Sequence, residues 1–208
     1  MKIFFVVYAL MFCLFMRAAD TDEVNQTLSK VITRFDVQSQ ESMQCFLERV
    51  DLCMAYGATF EKAKIDINKK CGSHSLFELA ILHKRWGLAT KLVDQGAGDM
   101  FTRDACCRDV LHLVVNEGQI ELLQRLLDKD RTPDPRDQVG ETPLHYAVRV
   151  GNPQIVELLL RKRANKFEHS NALLTPGMLA QELKQKQAHV EDVSKYVQIM
   201  ELFKKVYL

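Results

Sequence analysis

The stretch GETPLHYAVRVGNPQIVELLLRKRAN, residues 140–165, decides the fold. Thr142 is placed to cap a helix whose first residue is Pro143, where a missing N–H costs nothing. Leu144 and Ala147 mark its buried face, and Ala147 is small enough for a neighbouring helix to come close. Gly151 ends the helix in the left-handed conformation. Pro153 opens a second helix, which Ile155, Val156, Leu158, Leu159 and Leu160 make apolar over much of its surface, so it must be covered on both sides. Arg161, Lys162 and Arg163 fall at its C-terminal end, where the helix dipole favours positive charge. A tight turn from Asp137 to Glu141, with Gly140 at its tip, precedes the pair. Two helices of about ten residues cannot bury such faces alone, so the unit predicts stacking onto neighbours of its own kind.

The neighbours are in the chain. Asp137, His145, Ala147, Gly151 and Leu159-Leu160 have counterparts thirty-three residues earlier in Asp104, His112, Val114, Gly118 and Leu126-Leu127. Thr142-Pro143 returns thirty-three later as Thr175-Pro176, and Ala147 as Ala180. Upstream, Ser75 to Ala80 leads to Leu88, Leu92-Val93 and Gln95-Gly96-Ala97, with Ala80 thirty-four before Val114. Downstream, Gln198 to Lys205 copies Gln154 to Arg161 at a distance of forty-four, an insertion of eleven residues, or about three helical turns.

Residues Gly140 to Ala147, then Gly151 and Ile155 to Leu160, resemble the ankyrin repeat nearly residue for residue. Arg163, where that family carries glycine, is the clear departure. Other departures fall on the outer hairpins and leave the helices intact: Gly177 and Met178 replace the usual leucine and histidine, and Glu78 stands where His145 does. The resemblance covers Ile65 to Leu208. It implies an all-α solenoid, residues 65–208, of stacked helix-turn-helix units with short β-hairpin or turn connections. The units fall at about 68–102, 104–136, 137–169 and 170–208. Residues 20–64 are expected to form a helical N-terminal cap, because Val24, Leu28, Val31, Ile32 and Phe35, and then Phe46, Leu47, Val50 and Met54, recur at helical spacing. The last unit, with polar Lys184 to Gln187, is expected to cap the other end.

The resemblance also implies a non-enzymatic protein-interaction module, expected to be monomeric and to need no cofactor or metal. Its binding surface is the concave side, built from hairpin tips and the exposed face of each first helix. The family's variable contact positions fall on Arg136, Gln138, Val139, Glu141, Arg149 and Val150 in the clearest unit. In the preceding unit they fall on Arg103, Ala105, Cys106, Arg108, Asn116 and Glu117. Four arginines in this set favour a partner with an acidic or carboxylate-rich surface.

The N-terminus is of another kind. Lys2, an uncharged apolar run from Ile3 to Met16, and Arg17-Ala18-Ala19-Asp20 follow the tripartite pattern of a secretory signal. The run is short for a membrane span, which takes about 20 residues. Residues 1–19 are therefore expected to be a signal peptide or a membrane anchor, placing the chain in a periplasmic or extracellular compartment or tethering it to a membrane. Asn25-Gln26-Thr27 has the form of a glycosylation acceptor for a secretory pathway.

With 28 basic and 27 acidic residues the net charge is +1, which gives no overall attraction to nucleic acid. The basic run Arg161 to Lys166 is read as a helix end. Six cysteines are present, and Cys13 lies in the leader. Cys45 and Cys53, eight apart in a predicted helix, would stand about 12 Å apart along it, beyond disulfide reach. The alternative reading is a metal- or thiol-dependent protein built on Cys71, His74, Cys106 and Cys107, whose spacing matches no established zinc pattern. His112 and His145 occupy equivalent places in successive units, where the ankyrin family uses histidine to hold the turn and the next repeat.

Overall fold

The computed structural model describes residues 20–33, 40–63, 70–71, 74–97, 103–129, 131–186 and 193–205. These fall into two compact units, one within residues 1–100 and one within 101–208. The leader, residues 1–19, lies outside the described residues, as do Phe35 and the side chains of Cys45, Cys71 and His74. Among the described residues no helix is long and apolar enough to cross a membrane.

In the first unit, α1 (Thr21–Thr33) packs on α2 (Gln40–Ala55). Asp20 starts α1 by accepting the N–H groups of Asp22 and Glu23 at 3.0 and 2.8 Å. The periodic residues Val24, Leu28, Val31, Ile32, Phe46, Leu47, Val50 and Met54 are all buried, as their spacing predicts. A minimal antiparallel pair, β1 (Lys70–Cys71) with β2 (His74–Ser75), leads into α3 (Leu76–Leu82), which packs on α4 (Trp86–Asp94).

The second unit holds α5 (Val110–Asn116), α6 (Ile120–Leu127), α7 (Pro143–Val150), α8 (Pro153–Arg161), α9 (Pro176–Lys186) and α10 (Val193–Lys205). First helices α5, α7 and α9 form one layer, α7 packing on both others. Second helices α6, α8 and α10 form the layer behind, α8 packing on both others. Leu111, Leu122, Leu123, Leu126, Leu144 and Tyr196 fill the space between, each leucine contributing roughly 1.5–3 kcal/mol. Ala147 and Ala180 are fully buried in the inner layer, the close approach their small side chains permit.

Repeat equivalence is visible bond by bond. The turns after α3, α5 and α7 are closed by Arg85 N–H on the Ala80 carbonyl, Gln119 on Val114 and Asn152 on Ala147, at 2.8, 3.0 and 3.2 Å. Helices α4 and α8 end alike, with the amides of Ala97 and Ala164 on the carbonyls of Leu92 and Leu159. Ala58 on Cys53 repeats this pattern at the end of α2, so the N-terminal pair closes as a repeat does. Left-handed residues recur in register: Lys84, Gly118 and Gly151; Cys107, Gly140 and Leu173; Gly96 and Arg163. Arg163, with φ of 63°, thus adopts the conformation for which the family carries glycine.

One reading is corrected. Asn25 is buried, its amide donating to Thr21 O at 2.6 Å and accepting Thr59 N–H at 3.0 Å, so it is a structural clamp and not an open glycosylation acceptor. The departures at Glu78 and at Gly177-Met178 leave the hairpins intact. Glu78 completes a capping box with Ser75, taking its N–H at 2.8 Å, and Ser170 N–H closes the last hairpin on Leu174 O at 3.0 Å.

Candidate functional site

The hairpin tips of the second unit are built by one device used twice. Asp104 Oδ1 accepts the N–H groups of Cys106 and Arg108, both at 2.9 Å, and Asp137 Oδ1 accepts those of Val139 and Glu141 at 3.0 and 2.8 Å. An aspartate before a turn folds the backbone around its own carboxylate. Each folded tip is then bonded to the next, Gln138 N–H to Cys106 O at 3.0 Å and Asn171 N–H to Val139 O at 2.9 Å. Side chains on the tips therefore stand on a backbone ladder.

Histidine fixes the same stack from inside. His145 Nδ1 accepts Thr142 N–H at 3.2 Å, so its proton is on Nε2, which reaches Leu174 O in the following hairpin at 2.9 Å. His112 does the same, with Asp109 N–H at 3.0 Å and Glu141 O at 3.0 Å. Burial holds both imidazoles below their ordinary pKa, against the raising influence of those carbonyls. Both are structural, in agreement with the expectation from the resemblance, and neither is oriented toward a thiol.

The expected contact residues divide by exposure. Arg103, Asn116, Arg136, Gln138, Val139, Arg149 and Val150 are exposed, as are Ala105 and Cys106; Arg108 and Glu117 are half-buried. Glu141 is only 8 % exposed and acts from beneath, pairing with Arg149, whose guanidinium lies 5.9 Å from the Tyr146 ring centre. Tyr146 OH donates to Asp137 at 2.8 Å, and its ring meets His112 edge-on at 5.1 Å. Burial and the Asp137 carboxylate push the Tyr146 hydroxyl up to about 12.

Three of the four arginines already have carboxylates within the unit. Arg108 bonds Asp104 at 2.7 Å, Arg136 bonds Glu168 at 2.5 Å and the His169 carbonyl at 2.9 Å, and Arg149 holds Glu141. Arg103 reaches the Arg136 carbonyl at 3.1 Å. Partial burial opposes ionisation of Asp104, yet the Arg108 amide and guanidinium and the Cys106 amide outweigh it and hold that carboxyl below its usual value. The Arg108 pair lies within one turn, and nothing in local sequence spacing announces those at Arg136 and Arg149.

The alternative reading finds no support. Cys106 and Cys107 are free and exposed, Cys53 is free and buried, and among the described residues no group of three or more histidine, cysteine or acidic side chains is assembled for a metal. The basic run closes helices: Arg161 pairs with Glu157, Lys162 with Asp128, and Lys166 donates to Phe203 O at 2.6 Å.

A model describing ankyrin repeats in three copies matches residues 72–171. Residues 72–171 carry the sequence pattern of ankyrin repeats. Its relatives include NF-kappa-B inhibitor alpha of Sus scrofa, 33 % identical over 46 % of this chain and 32 % of that protein. Neurogenic locus notch homolog protein 2 of Homo sapiens is 31 % identical over 46 % of this chain and 4 % of its own length. The chain thus spans a third or less of these relatives, and the likeness is to their repeats. Outside the matched segment, Ala58 N–H closes the end of α2 on Cys53 O with the bond that Ala97 and Ala164 make after α4 and α8. Ankyrin repeats indicate a protein–protein interaction module.

Proposed function

We propose that this protein is a non-enzymatic binding module that engages another protein through the tips and first helices of its second unit. The observation that carries this is the backbone ladder Cys106 O to Gln138 N–H and Val139 O to Asn171 N–H. A ladder of this kind holds Gln138, Val139 and their neighbours at fixed spacing before a partner arrives, so little ordering cost falls on binding. Arg103 and Arg149 are the groups that would meet a partner's carboxylate, Arg149 by exchanging Glu141 for it. The acidic preference is accordingly modest, and contact at Val139 and Val150 carries more of the affinity. Residues 1–19 would deliver the module to a secretory compartment or hold it at a membrane, and the module would act as a monomer.

The test is affinity capture with the full chain against a Val139→Asp, Val150→Asp variant of unchanged melting temperature. Loss of one specific protein in the variant supports the proposal, and an identical set of captured proteins contradicts it.

A further inference from the structure

Cys106 and Cys107 stand side by side on the Asp104 tip, and both thiols are free and exposed. The turn is drawn tight around them. Asp104 Oδ1 takes the Cys106 N–H at 2.9 Å, and the Asp104 carbonyl takes the Cys107 N–H at 2.8 Å. Cys107 holds a left-handed backbone, with φ of 57°, a conformation that strains any residue carrying a Cβ.

Thirty-three residues on, the same two places hold Val139 and Gly140. That tip is folded by the same bonds, Val139 N–H on Asp137 Oδ1 at 3.0 Å and Gly140 N–H on the Asp137 carbonyl at 3.1 Å. The turn therefore needs neither sulfur, and glycine suits the left-handed place better. Packing accounts for Cys53, which is fully buried and whose thiol burial pushes up to about 11, away from the reactive thiolate. It does not account for two solvent-facing thiols on adjacent residues.

We infer that Cys106 and Cys107 form a redox modification site, which a hydroperoxide closes to a disulfide between the two neighbours. The site uses these two sulfurs alone and needs no metal. One thiolate attacks hydrogen peroxide: an S–O bond forms, the O–O bond breaks, and the departing hydroxide takes a proton to become water. The adjacent thiolate then attacks the resulting sulfenic sulfur, the S–S bond forms, and a second hydroxide leaves and is protonated. Two thiols have lost two electrons and two protons, and the peroxide has become two waters. Because the resolving thiol sits in the same turn, no other element has to move.

The product is strained. Successive Cα atoms lie about 3.8 Å apart, short of the roughly 4.4–6.8 Å that a relaxed disulfide spans, so the peptide between the cysteines must turn as the ring closes. That peptide carries the Cys106 carbonyl, which accepts Gln138 N–H at 3.0 Å. Closure thus loosens the rung between two tips, and strain keeps the bond readily reducible, so the step reverses.

The experiment treats the reduced full chain with hydrogen peroxide, alkylates the remaining thiols and digests with trypsin, which releases Asp104 to Arg108 as one peptide. The inference expects that peptide unalkylated and two hydrogens lighter, with both thiols restored by dithiothreitol and Cys53 unoxidised. Gln138 N–H is expected to exchange about tenfold faster in the oxidised chain. Cys106→Val and Cys107→Gly, which install the residues of the next tip, are each expected to abolish the two-hydrogen loss and the faster exchange. Both thiols still alkylated after peroxide overturns the inference. So does oxidation of either sulfur alone to a sulfinic acid, or a disulfide from either to another cysteine of this chain or of a second copy. Closure with unchanged Gln138 exchange supports the site and overturns its link to the ladder.

Discussion

His145 Nε2 lies 2.9 Å from the carbonyl oxygen of Leu174, and its other ring nitrogen takes the N–H of Thr142. One imidazole thus closes its own helix start and holds the next hairpin. Replacing it by alanine strands a buried N–H and a carbonyl and opens a void. His145→Ala is expected to cost roughly 2–4 kcal/mol, read from urea unfolding. The exposed Met178→Ala, at the equivalent position, is expected to cost under about 0.5 kcal/mol.

The same bonds set a pH dependence. Burial depresses the pKa of His112 and His145 from 6.5, so the folded state favours the neutral rings and the unfolded chain binds protons first. Their contribution is fully present above 6.5 and is lost as pH falls through the depressed values. Urea midpoints are expected to drop between pH 7.5 and pH 5, and the drop is expected to shrink in His145→Gln. A midpoint that rises on acidification contradicts this assignment.

Two glycines with the same left-handed backbone are expected to differ. A Cβ on Gly140 would collide with Asn171 Oδ1 and lie 3.0 Å from the Asn171 backbone nitrogen, whereas one on Gly118 would meet nothing within 4 Å. Gly118→Ala carries only the conformational cost, about 1–2 kcal/mol. Gly140→Ala is expected to exceed it and to weaken the tip ladder, seen as faster hydrogen exchange at Asn171 N–H.

The converse change is expected to stabilise. Arg163 holds φ at 63° where the equivalent Gly96 sits at 99°. Arg163→Gly relieves that strain, and the unfolding free energy from urea titration is expected to rise by about 0.5–1 kcal/mol.

Thr142-Pro143, His145 and Gly151 made the repeat legible because each acts within a few residues of itself, where sequence spacing is geometry. The N-terminal helices were legible for the same reason, from Val24, Leu28 and their neighbours. What escaped depends on side chains meeting across turns. Asn25 matched an acceptor triplet while folding inward onto Thr59. Arg136 and Arg149 read as free charge, and Glu168 and buried Glu141 had already claimed them.

The central claim is that the ladder-borne tips are the protein-binding face. A photoreactive benzoylphenylalanine placed at Val139, on a tip, and at Gln154, exposed on the outer helix α8, tests it most directly in the full chain. The account predicts that the Val139 probe crosslinks to one specific partner protein and that the Gln154 probe does not. Equal crosslinking from both positions, or crosslinking from Gln154 alone, would contradict it.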